Sequence, residues 1–379
     1  MSSEHGALFA GLPAPELDRL TVYVFGPGFG ESQVVALPDG KWMVIDSCEL
    51  SGVCLPLELL RHFKVPAIDL LAVTHPDLDH YRGLTSIIAT TEVKHFWRYP
   101  GFHTPRDILI DLAKLEPENG EFAEMRAMHE AMGSLMRTGR SHEACYGFNW
   151  WPKTSPYRVT CIAPCDAEKN AQTKALGKLF KKVSEKKALT HEEKRRLMGK
   201  ANGLSLALVL WWGRIGVLFG GDVERGNSGE GRGWSGILRN MEEDEDLIGC
   251  GLDLIRGLRL VKLAHHGSEG ALSEDAWKYH AADGPIDLAV AAPFGGGRNP
   301  PPQVSSLGEL RRFARRLAVT SPPSGAWSRV TDAGWLRVEQ ASGPGAASCV
   351  AISLDATPPS VVALSSQGAL FALDAQSSA

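Results

Sequence analysis

The sequence lacks several features that would assign it to a class at once. No uncharged apolar run reaches about 18 residues, so we expect no transmembrane helix and no membrane contact. None of the seven cysteines forms a CxxC pair, and their odd number disfavours a disulfide scaffold. The first twenty residues show no basic-then-apolar signal pattern. We therefore expect a cytoplasmic protein with reduced, mostly buried thiols.

The composition is that of an ordinary folded protein. The 379 residues are 44% apolar and 22% charged, which excludes disorder as the main state. A formal net charge of −4 gives no overall attraction to nucleic acid. Strand-like apolar runs occur near both ends of the chain, with helical patterns between them. This order favours one layered α/β domain that carries insertions.

The densest polar cluster directly follows the apolar run Ile68–Val73, which is typical of a strand buried on both faces. It contains four ligand-type side chains within six residues: His75, Asp77, Asp79 and His80. Imidazole and carboxylate ligands suit zinc, manganese or iron. The alternative is a strand-end loop whose aspartates cap the next helix.

Two further clusters lie far downstream, each after another apolar run. Asp222 follows the predicted strand Ile215–Phe219, and His265 and His266 lie at the end of the predicted strand Leu258–Ala264. Each cluster alone is a weak signal, because aspartate at a strand end is commonly a turn former. If aligned strands bring the three clusters to one edge, they predict a metal site.

These residues resemble the metallo-β-lactamase fold superfamily. The first motif of that superfamily is usually written HxHxDH, and here it is His75-x-Asp77-x-Asp79-His80. An aspartate in the second position also occurs in the ComEC-type branch, the hydrolase-like domain of DNA-uptake proteins. Further segments resemble that branch: Gly26–Ser32, Val44–Asp46, Asn202–Leu206, Gly221–Asp222 and Lys262–Ser268.

The resemblance implies an α/β fold, the four-layer αββα metallo-β-lactamase sandwich with helical insertions. We expect the domain to span residues 20–366 after an N-terminal entry segment, 1–19. The insertions are expected at about 100–155 and 166–200. A flexible C-terminal tail is expected at 367–379.

The resemblance also implies the roles of the polar residues. One or two divalent ions, Zn²⁺ or Mn²⁺, would be held by His75, Asp77, Asp79, His80, Asp222 and His265. Asp79 would orient or deprotonate a water, and Asp46 would hold a ligand histidine by a hydrogen bond. His265 and His266 compete for the ligand role. Because neighbours in a strand point to opposite sides, we assign it to His265 and a catalytic role to His266.

The sequence departs from the superfamily pattern in two places. Many members carry another histidine ligand before the Gly-Asp pair, and here no candidate has a recognisable motif around it. The candidates are His95, His103, His129, His142 and His191. The loop Gly295–Pro301 also lacks the histidine of the ComEC-type branch. A one-metal or weakened site is therefore an alternative.

Positive charge is concentrated in one segment. Residues 169–200 contain eleven Lys or Arg and three Glu, a local charge of +8. Such a segment can bind a phosphate backbone, or it can be a solvated helical surface. The candidate substrate contacts are Lys181, Lys182, Lys186, Lys187 and Ser268. Lys262 is a further candidate phosphate contact.

These patterns predict a metal-dependent hydrolase, most directly a phosphodiesterase or nuclease acting on DNA, RNA or a nucleotide. An ester, lactone or thioester hydrolase of the same fold is the enzymatic alternative, since one fold hosts many chemistries. A metal-poor domain that binds a partner without turnover is the non-enzymatic alternative.

Overall fold

A computed structural model gives the architecture. It describes residues 8–9, 12, 14–100, 120–150, 155–185, 190, 193, 202–226, 229, 231–244, 251–296, 299–321, 326–335, 337–341, 348–354, 360–364 and 369–373. Within these ranges no helix is both long enough and apolar enough to cross a bilayer.

Strands are the main elements of the chain. In chain order they are β1 (Leu20–Phe25), β2 (Ser32–Ala36), β3 (Trp42–Ile45), β4 (Glu49–Leu50), β5 (Val53–Cys54), β6 (Ala67–Val73), β7 (Glu92–Arg98), β8 (Ser141–Glu143), β9 (Asn149–Trp150), β10 (Tyr157–Ala163), β11 (Ala207–Trp212), β12 (Ile215–Phe219), β13 (Leu260–Lys262), β14 (Leu288–Ala291), β15 (Arg316–Val319), β16 (Arg337–Ala341), β17 (Cys349–Leu354), β18 (Ser360–Leu364) and β19 (Ala369–Leu373).

The helices lie between the strands. They are α1 (Leu55–His62), α2 (Leu78–Tyr81), α3 (Leu84–Thr90), α4 (Gly120–Arg137), α5 (Asp166–Ser184), α6 (Gly233–Glu243), α7 (Glu274–His280), α8 (Val304–Leu310) and α9 (Ala326–Asp332). Short 3-10 turns at Asn202–Leu204 and Ala264–Gly267 carry residues of the candidate site.

The strands form two large sheets. The first has the order β18-β17-β1-β2-β3-β6-β7-β8, and the second β16-β19-β15-β14-β13-β12-β11-β10-β9. Parallel neighbours occur at the centre of both sheets. In the first sheet β3 pairs with β6, and in the second β12 pairs with β13 and β13 with β14. Because the carboxyl ends of parallel neighbours share an edge, residues that follow them are brought together.

The second sheet is buried on both faces, as its apolar strands predict. Along β11, Leu208 and Leu210 join a core cluster with residues of the first sheet. The alternate residues Ala207 and Val209 join a second cluster with α6 residues such as Ile237. The first core cluster also contains side chains of α1, α3 and α4. Helices therefore cover both sheets, and the predicted αββα architecture is confirmed.

Helices occur in both regions where insertions are predicted, since α4 and α5 lie there. The first region is not purely helical. Ser141–Glu143 adds β8 to the edge of the first sheet, and Asn149–Trp150 adds β9 to the edge of the second. The predicted N-terminal entry segment contains Phe9, which is fully buried and packs edge-on against Phe25.

The C-terminal region differs from the expected flexible tail. Ala369–Leu373 lies between β15 and β16 and pairs antiparallel with both. A short apolar run without glycine, proline or charge is a suitable strand when main-chain partners are available on both sides. Residues 374–379 lie outside the described part of the chain.

Candidate metal centre

The candidate ligands follow strands whose carboxyl ends lie together. Asp46 and Thr74 follow the parallel pair β3 and β6, and Asp222 and His266 come shortly after the parallel pair β12 and β13. At this edge the Leu206 N–H donates to the Thr74 carbonyl at 3.0 Å, which joins the two sheets. The three predicted clusters therefore meet, as their positions at strand ends led us to expect.

His75 and His80 lie side by side, with ring centroids 4.2 Å apart, and Asp46 orients both. Asp46 Oδ2 lies 2.8 Å from His80 Nδ1 and accepts the Thr74 hydroxyl proton at 2.7 Å. With its only proton used, the Thr74 hydroxyl acts as an acceptor toward His75 Nδ1 at 3.1 Å. Both Nδ1 atoms therefore carry a proton, which makes Nε2 the nitrogen of each ring that can bind a metal.

Asp222 brings a carboxylate from the second sheet to the same two imidazoles. Its Oδ1 lies 3.3 Å from His80 Nε2, and its Oδ2 lies 3.5 Å from His75 Nε2. The preceding Gly221 has φ +50°, and a Cβ there would lie 2.2 Å from a backbone carbonyl oxygen. Only glycine allows this close turn, so the Gly-Asp pair has a steric reason.

Asp79 and His266 form the other side of the cluster. Asp79 Oδ2 is 3.1 Å from His266 Nε2 and 3.6 Å from His80 Nε2. The Asp79 side chain is 15% exposed, whereas those of His80 and His266 are buried. Asp79 is therefore a carboxylate of this cluster that water can reach.

The arrangement fits a divalent cation. Three groups of ligand atoms each lie within 4.8 Å of one another: His75, His80 and Asp222; Asp79, His80 and His266; and Glu31, Asp46 and His80. The carboxylates of the third group lie against Nδ1 atoms, Asp46 beside His80 and Glu31 beside His266. His75 Nε2, His80 Nε2 and Asp222 Oδ1 are buried without a hydrogen-bond partner. Leaving each such atom unsatisfied costs about 1–3 kcal/mol, which a bound cation would offset.

Mutual contacts control the charges of these groups. Burial disfavours every charged form, but the carboxylates of Asp222 and Asp79 raise the pKa of His80 well above its ordinary value. Despite burial, His80 holds the pKa of both carboxylates well below the ordinary range. Burial likewise opposes protonation of His266, yet Glu31 and Asp79 raise its pKa to about 9. A cation that binds here therefore competes with protons for the imidazoles.

The structure favours a different ligand from the downstream histidine pair. His266 lies in the Asp79–His80 group, whereas His265 is 30% exposed and its Nε2 is 3.8 Å from Asp222 Oδ2. The argument from strand alternation is wrong here because β13 ends at Lys262. Both histidines adopt left-handed backbone conformations, with φ of 47° and 57°.

His265 has a polar environment of its own. Its Nε2 is 3.4 Å from Asn202 Nδ2, and its Nδ1 is 3.8 Å from Glu224 Oε1. Its partial exposure leaves it accessible from solvent. Its role as a metal ligand remains a prediction.

Asp77 lies at the margin of the cluster. Its Oδ2 is 3.5 Å from His75 Nε2, and its side chain is 18% exposed. It precedes α2 but makes no side-chain capping hydrogen bond. Helix capping therefore does not explain this residue, and a ligand role stays a prediction.

The predicted substrate contacts are only partly described. Lys181 and Lys182 lie in the last turn of α5, where Lys182 pairs with Glu193. Lys186 and Lys187 lie outside the described residues. Ser268 lies near the centre, and its hydroxyl is buried without a hydrogen-bond partner.

Lys262 cannot act as the phosphate contact that its position suggested. It is fully buried and pairs with Glu31.

Two residues of the site were not identified from the sequence. They are Thr74, which links Asp46 to His75, and Glu31, whose Oε2 lies 3.0 Å from His266 Nδ1. The available signal for Glu31 was its position in a glycine-rich loop.

The additional histidine ligand has no counterpart among the groups found in the described residues. His95 and His142 pack near one another, with ring centroids 6.5 Å apart, and His129 is in α4. His103 and His191 lie outside the described residues.

The chain matches no family model and no curated protein. Among solved structures it resembles the diiron β-hydroxylase CmlA from Streptomyces venezuelae, with 12% identity and a TM-score of 0.37. That likeness covers 74% of this chain but 46% of CmlA, so the chain spans less than half of that protein.

Two further solved structures match over most of their own length. The metallo-β-lactamase fold protein YhfI from Bacillus subtilis has 9% identity and a TM-score of 0.37, covering 78% of this chain and 94% of YhfI. Unliganded yeast PDE1 has 12% identity and a TM-score of 0.41, covering 79% and 97%. These values are too low to bear on chemistry, so the site geometry alone supports the function. The likeness to the ComEC-type branch stays a prediction.

Proposed function

We propose that the chain is a metal-dependent hydrolase. One observation carries the proposal: three imidazoles present Nε2 atoms to two carboxylates while their Nδ1 atoms lie against acceptors. Such an arrangement prepares imidazole lone pairs for a cation. The arrangement leaves ligand atoms buried without hydrogen-bond partners, which destabilises the fold, and no contact within the described residues offsets this loss.

The residues that would hold the ions are His75, His80, Asp222, Asp79 and His266. The two oxygens of Asp222 lie against different imidazoles, Oδ1 near His80 and Oδ2 near His75, so this carboxylate could share a cation with both rings. When bound by these residues, a divalent ion would supply a water whose pKa is lowered to near 7. The mixed nitrogen and oxygen donors suit Zn²⁺ or Mn²⁺.

Asp79 is the candidate residue for orienting an attacking water. It is ionised at neutral pH because His80 and His266 hold its pKa low despite its burial. Its partial exposure lets it accept a hydrogen bond from an attacking water. A weakly basic carboxylate orients that water more effectively than it removes a proton, so positioning is its main role.

We infer that the substrate is a phosphodiester, such as DNA, RNA or a nucleotide. The support is the net charge of +8 within residues 169–200, which attracts polyanions. The 3-10 turn Asn202–Leu204 follows this segment and places Asn202 beside His265. The basic segment is therefore connected to the metal centre through a short stretch of chain.

The test is hydrolysis of bis-p-nitrophenyl phosphate, single-stranded DNA and RNA by metal-depleted protein reloaded with Zn²⁺, Mn²⁺ or Mg²⁺. We expect turnover that requires Zn²⁺ or Mn²⁺ and is lost in Asp79→Ala. Asp275→Ala, at an exposed carboxylate of α7, is the matched control and keeps full activity. Turnover of p-nitrophenyl acetate or a thioester alone would favour the alternative hydrolase. Protein that binds no metal would contradict the proposal.

A further inference from the structure

A buried ion pair joins the two sheets beside the metal centre. Lys262, the last residue of β13, pairs through Nζ with Glu31 Oε1, directly before β2. Both side chains are only 1% exposed. Removing two charges from water is costly before their attraction is counted, and an apolar pair of similar size is often as stable. Packing alone therefore does not account for these charges.

The second oxygen of Glu31 faces a candidate metal ligand. The Ala292 carbonyl oxygen accepts the hydrogen bond of His266 Nδ1 at 3.0 Å, and Glu31 Oε2, which has no hydrogen-bond partner, lies 3.0 Å from the same nitrogen as an ion-pair partner. A carboxylate and a carbonyl only accept hydrogen bonds, so His266 Nδ1 must carry a proton. This leaves His266 Nε2 directed to Asp79 Oδ2 at 3.1 Å.

Glu31 is also tied to the backbone of the same cluster. Its N–H donates to the Asp79 carbonyl at 2.9 Å. The preceding Gly30 has φ +89°, and a Cβ there would lie 2.9 Å from that carbonyl oxygen. Glycine therefore lets the loop approach the first motif closely. Glu31 thus contacts both Asp79 and His266, the two ligands that come from different sheets.

We propose that Glu31, held by Lys262, is a positioning residue that acts together with the Ala292 carbonyl to fix the orientation and tautomer of His266 for metal binding. The proposal rests on the proposed metal centre. Glu31 would do for His266 what Asp46 does for His80, and Lys262 would fix the carboxylate between its two partners. Carboxylates hydrogen-bonded to ligand histidines raise metal affinity by about 10- to 100-fold.

The test compares Glu31→Gln with the double variant Glu31→Gln/Lys262→Met in full-length protein. The single variant leaves the charge of Lys262 buried without its partner, so we expect its midpoint of urea unfolding to fall. The double variant removes both charges, so we expect the midpoint of urea unfolding to recover. Stepwise Zn²⁺ and Mn²⁺ affinities come from titration against a chromophoric chelator. We expect one step to weaken by about 10- to 100-fold in both variants.

The matched control is Arg259→Met/Asp287→Asn. This partly buried pair lies just before β13 and β14, at the opposite ends of the strands that lead to the site. Its removal should leave metal affinity unchanged. If the Glu31 double variant recovers metal affinity together with stability, the pair is structural and the proposal is wrong.

A second measurement does not depend on metal. In ¹⁵N-histidine spectra of metal-depleted protein, the His266 Nδ1–H resonance, identified by its loss in His266→Gln, should lie at low field. It should move upfield in the double variant, since the charged acceptor is gone. An unchanged resonance would overturn the proposal even if the wild type binds metal. Failure of the wild type to bind metal would contradict the hydrolase proposal, while this resonance would still test Glu31.

Discussion

His80 Nδ1 lies 2.8 Å from Asp46 Oδ2, and both side chains are fully buried. The same carboxylate receives the backbone N–H and the hydroxyl of Thr74. Asp46, which lies outside the first motif, thereby orients His80 directly and His75 through Thr74. Because the hydroxyl has one proton, the direction of each hydrogen bond is determined.

Asp46→Asn should lower Zn²⁺ affinity by about 10- to 100-fold, since the amide is uncharged and accepts through one atom only. Thr74→Val tests the indirect link to His75, and Thr74→Ser keeps the hydroxyl as its control. Competition with a chelator measures both effects. Equal affinities in Thr74→Val and Thr74→Ser would contradict the role of the hydroxyl.

Asp222→Ala should reduce the number of ions bound more than His265→Ala does. Asp222 oxygens lie within 3.5 Å of two imidazole nitrogens, whereas His265 lies 3.8 Å from Asp222 and is partly exposed. Elemental analysis of dialysed protein measures the stoichiometry. A greater loss of metal from His265→Ala would assign the ligand role to His265.

Asp79→Asn should reduce kcat on bis-p-nitrophenyl phosphate by about 10²- to 10⁴-fold. Its metal content should change less, because His75, His80 and Asp222 form a ligand group without it. Parallel kinetics and elemental analysis separate the two effects. Full turnover in this variant would exclude Asp79 from water activation.

Charge reversal of Lys181, Lys182, Lys186 and Lys187 to Glu should weaken DNA binding and reduce its salt dependence. If each lysine meets one phosphate, the slope of log K against log[salt] falls by about 3. Lys278→Glu, at an exposed position in α7, is the single-site control. An unchanged slope in the fourfold variant would leave these lysines with a role in solubility.

Buried His280 should make folding stability depend on pH. Burial lowers its pKa to about 4, and its Nδ1–H donates to the Ile255 carbonyl. The unfolded chain, with a histidine pKa near 6.5, binds more protons below that pH, so stability falls as the solution is acidified. The loss between pH 7.5 and pH 5 should be about 2 kcal/mol.

His280→Asn retains a donor near the Nδ1 position and removes the titration. Urea unfolding at both pH values should show a smaller difference in this variant than in the wild type. Equal differences would exclude His280 as the cause.

Local sequence predicted the ends of the strands but not every backbone direction beyond them. Val73 and Phe219 end buried strands, and the polar residues that follow them reach one site, as expected. Strand periodicity could not predict which of His265 and His266 faces the site. Both residues and the following Gly267 have positive φ, a backbone direction that strand periodicity does not report.

Contacts between residues far apart in the chain could not be predicted from local sequence either. Glu31 and Lys262 are separated by 231 residues, and each alone resembles a surface charge in the sequence. Their burial follows from the approach of two sheets, which depends on the whole fold. The position of β19 between β15 and β16 has the same origin.

The pairing of β1 with β17 governs when the protein can finish folding. Leu20 aligns with Leu354 and Phe25 with Cys349, so one side of β1 stays open until the last part of the chain is available. During synthesis the ribosome exposes the ligands of the first motif long before Asp222 and His266. A nascent chain therefore holds an incomplete set of candidate ligands and an apolar strand with one unpaired edge at the same time. Assembly of the candidate metal centre therefore has to wait until strands from both sheets have been synthesised.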